Sequence, residues 1–154
     1  MKKLWLVGLV AVILCNCSKE NDGNSGSLPP LPDPDDVCSA MDNINFMTFC
    51  YEKFDANKDG KVSVREAEAV REIDFDKGLS GSLKGIERFP NLEILDCYSY
   101  HFGSGGYYSF SFAELDLRYN RMLKILRLYN CTNLVTLDLS RNTMLEEIEV
   151  YECN

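Results

Sequence analysis

Apolar residues recur every 11 positions from residue 112 onward. Four similar phrases begin at Phe112, Leu123, Leu134 and Leu145, and they read FAELDLRYN, LKILRLYNC, LVTLDLSRN and LEEIEVYEC. Each phrase has apolar residues at its first, fourth and sixth positions, which predicts a short strand with one buried face. The ninth position alternates between Asn and Cys. This alternation indicates that the true period is twice the spacing of the phrases, with two similar halves in each repeat.

The phrase L-x-x-L-x-L-x-x-N/C resembles the strand signature of leucine-rich repeats. The period extends backwards, since Val70, Ile73 and Phe75 stand one full period before a matching set, Leu92, Leu95 and Cys97. We therefore predict a solenoid over residues 70–154. Lateral neighbours in such a stack are one period apart, so we expect three pairs: Arg127 beside Glu149, Tyr129 beside Tyr151, and Asp116 beside Asp138.

The period fails once, because the interval from Leu92 to Phe112 is longer than a half-period by nine positions. The extra residues lie in YSYHFGSGGYYSFSF, residues 98–112, with the insertion centred near 99–110. One interpretation is a β-hairpin whose aromatic side chains pack back onto the solenoid. The other is a binding loop on one face of the stack. The candidate ligand contacts are Tyr100, His101, Phe102, Tyr107, Tyr108, Arg127, Tyr129 and Tyr151.

A helix–loop–helix pattern precedes the repeats. Met47, Cys50, Tyr51 and Phe54 fall on one helical face, with Asp42 as the expected N-cap. The loop that follows reads DANKDGKVSVRE, residues 55–66, and apolar residues at spacing three continue after it. The exit helix is expected to run directly into the first solenoid strand.

The spacing of oxygen-bearing residues in this loop is that of an EF-hand. The predicted calcium ligands are Asp55, Asn57, Asp59, the Lys61 carbonyl, Ser63 (directly or through water) and Glu66, with Gly60 at the sharp turn. Three carboxylates in a single hand predict a modest affinity, in the range of about 10⁻⁴ to 10⁻³ M that extracellular modules have. The alternative is an acidic turn that holds no ion.

The first residues predict export. MKKLWLVGLVAVIL has two Lys before an apolar run, as a secretory signal does, and Cys17 follows that run. This arrangement resembles the lipobox of bacterial lipoproteins, which implies acylation at Cys17, with Cys15 as a second choice. A plain secreted protein is the alternative. The predicted divisions are a signal peptide at 1–16, a disordered tether at 17–36, the helix–loop–helix at 37–69 and the solenoid at 70–154.

The charge of the chain excludes some classes of binding partner, and its cysteine count limits the possible disulfides. After Cys17 there are 14 basic and 24 acidic residues, a formal charge of −10, which argues against nucleic acid and against contact with the membrane other than through a lipid anchor. Five further cysteines leave at least one thiol unpaired. We expect Cys131 and Cys153 to be buried thiols rather than a disulfide. Cys38 and Cys50 are the better candidates for a bridge, but on one continuous helix they could not meet.

No catalytic constellation is apparent, because His101 is the only histidine and no Ser/His/Asp or Cys/His/Asn set can be assembled. We therefore predict that the protein is not an enzyme.

Cys17 and residues 46–154 together resemble the leucine-rich repeat surface lipoproteins of Bacteroides-type bacteria, some of which carry an EF-hand before the repeats. The resemblance implies an α+β fold, an outer-membrane or cell-surface location, and an interaction with an unidentified protein or glycan. Calcium would lock the hand as a cap; a calcium-regulated interaction protein and a structural envelope protein with a vestigial hand are the alternatives.

Overall fold

The structure is a computed structural model that describes residues 3–5, 28–75, 78–98, 100–101, 106–107 and 109–153. Helical segments occupy the N-terminal part of this range. A 3₁₀ helix spans Val37–Ala40, helix α1 spans Ile44–Phe54, helix α2 spans Val64–Ala69, and a second 3₁₀ helix spans Ile86–Arg88. No helix in the described part of the chain is long and apolar enough to cross a membrane.

The described residues also form nine short strands. In chain order, β1 to β9 span Lys3–Trp5, Glu72–Asp74, Ile94–Cys97, Tyr100–His101, Gly106–Tyr107, Glu114–Asp116, Ile125–Tyr129, Thr136–Asp138 and Glu147–Tyr151. The largest sheet has the order β1-β9-β7-β3-β2, and a second sheet pairs β6 with β8. The strands β2, β3, β7 and β9 are mutually parallel, so the chain forms a β-rich solenoid of about three turns.

The strand register confirms the doubled period. Tyr129 pairs with Tyr151, Arg127 with Glu149, and Leu115 with Leu137, all in parallel ladders. The two predicted halves of each repeat therefore lie in different sheets. Strands β3 and β7 pair with a larger offset, as Ile94 with Ile125, because the insertion lies between them.

The core lies between the two sheets and is lined by the periodic apolar positions. Leu95, Leu126, Leu117 and Leu123 are each 0% exposed, and Cys97 is equally buried in the same column. A fully buried Leu side chain contributes about 1.5 to 3 kcal/mol relative to an exposed one. The repeated phrases thus account for the stacking of successive turns.

Polar side chains close each turn, as the alternating ninth position predicted. The buried Asn120 amide donates to the carbonyls of Ile86 (2.9 Å) and Phe89 (3.0 Å). Asn142 makes the equivalent bonds one turn later, and the Cys131 thiol donates to the Tyr129 carbonyl at 3.6 Å. The four carbonyls bonded by Asn120 and Asn142 also accept from backbone N–H groups, so each asparagine adds a second hydrogen bond to a carbonyl of the preceding turn.

The insertion contains a hairpin. Strands β4 and β5 pair antiparallel, with Tyr100 opposite Tyr107 and His101 opposite Gly106. The hairpin interpretation of the sequence is therefore confirmed for the backbone. Phe110, just after it, is fully buried with its ring 5.9 Å from that of Phe75. Phe102 and Tyr108, two of the predicted ligand contacts, lie outside the described residues.

Two details before the loop differ from expectation. The N-cap of α1 is Asn43 and not Asp42, because the Asn43 side chain both caps the Asn45 amide and donates to the carbonyls of Ser80 and Ser82. The prediction of Asp42 is therefore wrong by one residue. In addition, residues 31–36, assigned to the tether, lie on the folded body: Leu31 contacts the core and Asp36 is buried.

Strand β1 occupies the outer edge of the main sheet. It pairs antiparallel with β9, with Lys3 opposite Glu149 and Trp5 opposite Glu147. These residues fall within the predicted signal peptide. Cleavage of residues 1–16 would therefore remove this strand and leave the edge of β9 to other contacts.

Candidate functional site

The predicted calcium loop connects α1 to α2 without interruption. Asp55 is the C-cap of α1, and Ser63 is the N-cap of α2. Between them Lys58 and Gly60 have positive φ angles of 60° and 83°. A side chain at Gly60 would meet nothing within 4 Å. The backbone conformation alone therefore favours glycine at this turn.

The first three predicted ligands are oriented by amides of the loop itself. The Asp55 carboxylate accepts hydrogen bonds from the backbone N–H of Asp59 (3.2 Å) and of Gly60 (2.8 Å). The Asn57 Oδ1 atom also accepts from the Asp59 N–H, at 2.9 Å, and Asp59 Oδ1 accepts from the Lys61 N–H at 3.0 Å. Their side chains are thus turned inward over the loop backbone.

Glu66 joins the two ends of the loop. Its Oε1 atom accepts from the backbone N–H of Ala56 (2.9 Å) and of Asn57 (3.3 Å), while Oε2 accepts from the Ser63 N–H (2.9 Å) and hydroxyl (2.8 Å). Ser63 and Glu66 form a capping box at the start of α2. The hydrogen bonds from the Ser63 backbone and hydroxyl hold the pKa of the Glu66 carboxyl below its usual value. Glu66 is therefore ionised at neutral pH.

The residues of the loop are the right kinds for calcium, which takes oxygen ligands from carboxylates, amides, carbonyls and water. Each carboxylate oxygen has more than one acceptor direction, so a hydrogen bond from an amide leaves room for a cation. No group of three His, Cys, Asp or Glu side chains converges closely enough to hold a metal among the described residues.

The segment before α1 packs against the loop. The Val37 N–H donates to the Val62 carbonyl at 2.9 Å, and the Val62 N–H donates to the Asp36 carboxylate at 3.2 Å. Val62 is fully buried, and both of its backbone groups are satisfied within the chain. Lys61 points away from the loop, with its Nζ atom 3.0 Å from Asp33. This contact leaves the carbonyl as the ligand that Lys61 can offer.

The helices are continuous with the first solenoid turn. Val70 is the C-cap of α2 and β2 begins two residues later, as predicted. Aromatic rings fill the junction: Phe49 lies 4.8 Å from Phe75, and Phe54 lies 5.5 Å from Phe89, between ring centroids. The Asn91 side chain also donates to the Glu68 carbonyl at 2.9 Å. The loop is thus attached to the solenoid through packing on both of its helices.

The predicted ligand contacts on the sheet are held in a charge network. Arg127 lies 3.0 Å from Asp96, 3.1 Å from Glu147 and 3.6 Å from Glu149. Burial raises the pKa of the Asp96 carboxyl, although Arg127 acts in the opposite direction. The guanidinium therefore joins three neighbouring strands, and its role as a ligand contact stays a prediction.

Tyrosines form a second row on the same sheet. The ring of Tyr129 lies 4.5 Å from that of Tyr98 and 5.9 Å from that of Tyr151, and its hydroxyl donates to Glu149 at 2.7 Å. Tyr98 is 39% exposed, whereas Tyr129 is 8% exposed. Only the backbone of Tyr100, His101 and Tyr107 is described. Among the tyrosines whose side chains are described, Tyr98 is the exposed one, and Tyr151 is half-buried beside Tyr129.

Sequence reasoning missed Asp36 and Asp96. Asp36 lies in a Pro-rich acidic stretch with no periodicity, so nothing in the pattern relates it to Val62. Asp96 could have been found, because its distance along the chain from Arg127 is one period plus the insertion. Comparison with protein-family models finds no match, and comparisons with curated proteins and with solved structures find no similar chain.

Proposed function

We propose that this protein is a calcium-binding recognition module of the bacterial surface, in which an EF-hand caps the N-terminal end of a leucine-rich repeat solenoid. The observation that carries the proposal is the Glu66 carboxylate, which bridges Ala56 and Ser63 across the twelve-residue loop. A bidentate Glu at this position completes the calcium shell of an EF-hand. Asp55, Asn57, Asp59, the Lys61 carbonyl and Ser63 supply the other ligands.

Bound calcium would stabilise the loop and, through it, the folded state of the chain. The three carboxylates in the loop repel one another, and a bound divalent cation removes that repulsion and fixes α1 relative to α2. Since both helices contact the first solenoid turn through Phe49, Phe54 and Asn91, a fixed loop also covers the open end of the apolar core. A ligand that binds only the folded state raises the free energy of unfolding by mass action.

A regulatory hand is the second candidate, and the surroundings of Val62 disfavour it. Sensor hands change the angle between their helices to expose a groove. Here Asp36 and Val37 bond both backbone groups of Val62. Opening would break these bonds at a fully buried position, so a static cap fits the contacts better.

The exposed sheet face and hairpin are the proposed recognition surface. Tyr98 and Tyr151 offer aromatic contact area, and β4 and β5 emerge directly after Tyr98. Tyrosine-rich surfaces bind proteins and glycans at a low cost in conformational entropy. The predicted leader and Cys17 would place this surface outside the cell on a lipid anchor, with residues 18 to about 30 as the spacer.

Calorimetric titration of calcium into the full chain tests the loop directly. We expect one site with a dissociation constant of about 10⁻⁴ to 10⁻³ M. Glu66→Gln removes one carboxylate and is expected to weaken binding about tenfold or more. The matched control is Glu68→Gln, an exposed carboxylate on the same short helix, which is expected to bind like the wild type.

Two results would contradict the proposal. Absence of heat at millimolar calcium would favour the structural protein with a vestigial hand. Equal affinity in the Glu66→Gln and Glu68→Gln variants would place the ion elsewhere in the molecule.

A further inference from the structure

Two cysteines are brought together beside the loop. Cys38 lies in the first 3₁₀ helix and Cys50 in α1, and residues 41–43 between them are not helical. The objection that a continuous helix would hold these residues apart therefore does not apply. Both side chains are 0% exposed and belong to the same apolar cluster.

A hydrogen bond fixes the two segments next to these cysteines. The Tyr51 hydroxyl donates to the Asp36 carboxylate at 2.7 Å, while the other oxygen of Asp36 accepts from the Cys38 N–H at 3.0 Å. Tyr51 is the neighbour of Cys50 along α1. Burial, and then hydrogen bonding to the Cys38 thiol, raises the pKa of the Cys50 thiol. Both cysteines are free thiols in this structure, and the hydrogen bond between Tyr51 and Asp36 holds their two segments against each other in a site closed to solvent.

We propose that Cys38 and Cys50 form a disulfide when the chain folds outside the cytoplasm. One thiolate attacks the disulfide of an exported oxidoreductase or of glutathione, and one thiol of the donor leaves. The second thiolate then displaces the remaining donor sulfur. The chain loses two protons and two electrons, and the donor disulfide is reduced to two thiols. Since burial disfavours the thiolate, the exchange precedes closure of the core.

The other three cysteines, Cys97, Cys131 and Cys153, contribute to the solenoid core and to the closing of its turns. Cys131 and Cys153 donate to the carbonyls of Tyr129 and Tyr151, at 3.6 and 3.5 Å, where Asn side chains close the alternate half-turns. Oxidation would remove those donors. Cys97 is fully buried in the leucine column. The Cys131 and Cys153 thiols also hydrogen bond to each other, but a bridge there would cost both of these closing hydrogen bonds, so we expect Cys97, Cys131 and Cys153 to remain thiols.

The bridge would hold the segment that supports the calcium loop. Asp36 and Val37 bond Val62, and the bridge would tie the same 3₁₀ helix to α1. The relevance to calcium binding rests on the proposed function, whereas formation of the bridge does not. Refolding in the absence of calcium tests the bridge alone, so failure of one proposal leaves the other untouched.

The experiment is refolding of the reduced full chain in a mixture of reduced and oxidised glutathione, followed by alkylation and digestion. Trypsin yields a peptide spanning residues 20–53, in which Cys38 and Cys50 are the only cysteines. We expect this peptide without alkyl groups and two hydrogen atoms lighter than its reduced form. Cyanogen bromide cleaves after Met41 and Met47, and the fragments that carry Cys38 and Cys50 should remain joined until reduction.

The stability of the chain gives a second readout. Reduction of the refolded protein is expected to lower Tm by roughly 5 to 10 °C, because a disulfide restricts the unfolded chain. The Cys50→Ala variant should show no such dependence on reductant, while Cys97→Ala should keep it. Two alkyl groups on the peptide of the unreduced protein would overturn the proposal. A bridge between Cys131 and Cys153 with Cys38 and Cys50 still as thiols would also overturn it.

Discussion

At the scale of single residues, buried side chains with hydrogen-bonding groups determine how each solenoid turn closes. Asn120 is fully buried and its amide donates to two carbonyls, those of Ile86 and Phe89. Cys131 stands at the equivalent position of the next half-turn and donates through its thiol. Sequence periodicity predicted this column, because Asn and Cys alternate at the ninth position of every phrase.

Substitution of Asn120 tests this role. Asn120→Ala removes one of the two donors to each of two buried carbonyls and should lower the free energy of unfolding by about 1 to 2 kcal/mol. Asn120→Cys introduces the residue found in the alternate column, and it should cost less than Ala because one donor remains. Urea denaturation measures both, with the exposed Asn133→Ala as the control that should change stability little. Equal stability of the Ala and Cys variants would contradict a donor role.

At the scale of the elements, strand β7 is the centre of the main sheet's charge network. Arg127 faces Asp96 on β3 and both Glu147 and Glu149 on β9, so one cation ties three strands. The repeats predicted the pairing with Glu149 but not the contact with Asp96, because the insertion shifts the register between β3 and β7. A fixed repeat period does not include the extra residues of the insertion, so it cannot predict how β3 and β7 pair.

Removal of this cation should destabilise the sheet in a pH-dependent way. Arg127→Met leaves three carboxylates facing one another and should cost about 1 to 2 kcal/mol at neutral pH. Burial already raises the pKa of Asp96 in the folded state, so its ionisation costs stability above that pKa, and the cost is relieved as pH falls through it. The deficit of the variant should therefore shrink as pH falls through the raised pKa of Asp96, because that carboxyl then takes up a proton.

Thermal unfolding as a function of pH checks this expectation. Arg118→Met is the matched control, because Arg118 pairs with the half-exposed Asp116 at the surface and should contribute less. Arg118 also relieves the like-charge contact between Asp116 and Asp138, since it lies beside that pair. An Arg127→Met deficit that stayed constant or grew on acidification would contradict the charge account.

At the scale of the whole molecule, the helices and the solenoid share one core. Phe46 and Phe49 contact Phe75, and Phe75 in turn contacts Phe110 beyond the insertion. The sequence predicted the order of the parts and the direct passage from α2 to β2. It did not predict that residues 31–36 would support the loop, because a Pro-rich acidic stretch has no pattern from which packing can be read.

This continuity makes the effect of calcium on the solenoid measurable. Of the eight tyrosines only Tyr51 belongs to the helix–loop–helix, and the others lie between residues 98 and 151. The tyrosine signal in near-ultraviolet circular dichroism therefore reports mainly on the repeats. If the hand is a cap, an ion bound at the loop must stabilise tyrosines that it does not touch.

The most direct test is the thermal transition of this tyrosine signal with calcium at about 100 times its dissociation constant and with EDTA. At that concentration calcium binding adds about 2.7 kcal/mol to the free energy of unfolding, which corresponds to an increase of roughly 5 to 10 °C in Tm. We expect the tyrosine signal and the helical signal to shift together by that amount when calcium is removed. A tyrosine transition at the same temperature in calcium and in EDTA would contradict the calcium-locked cap.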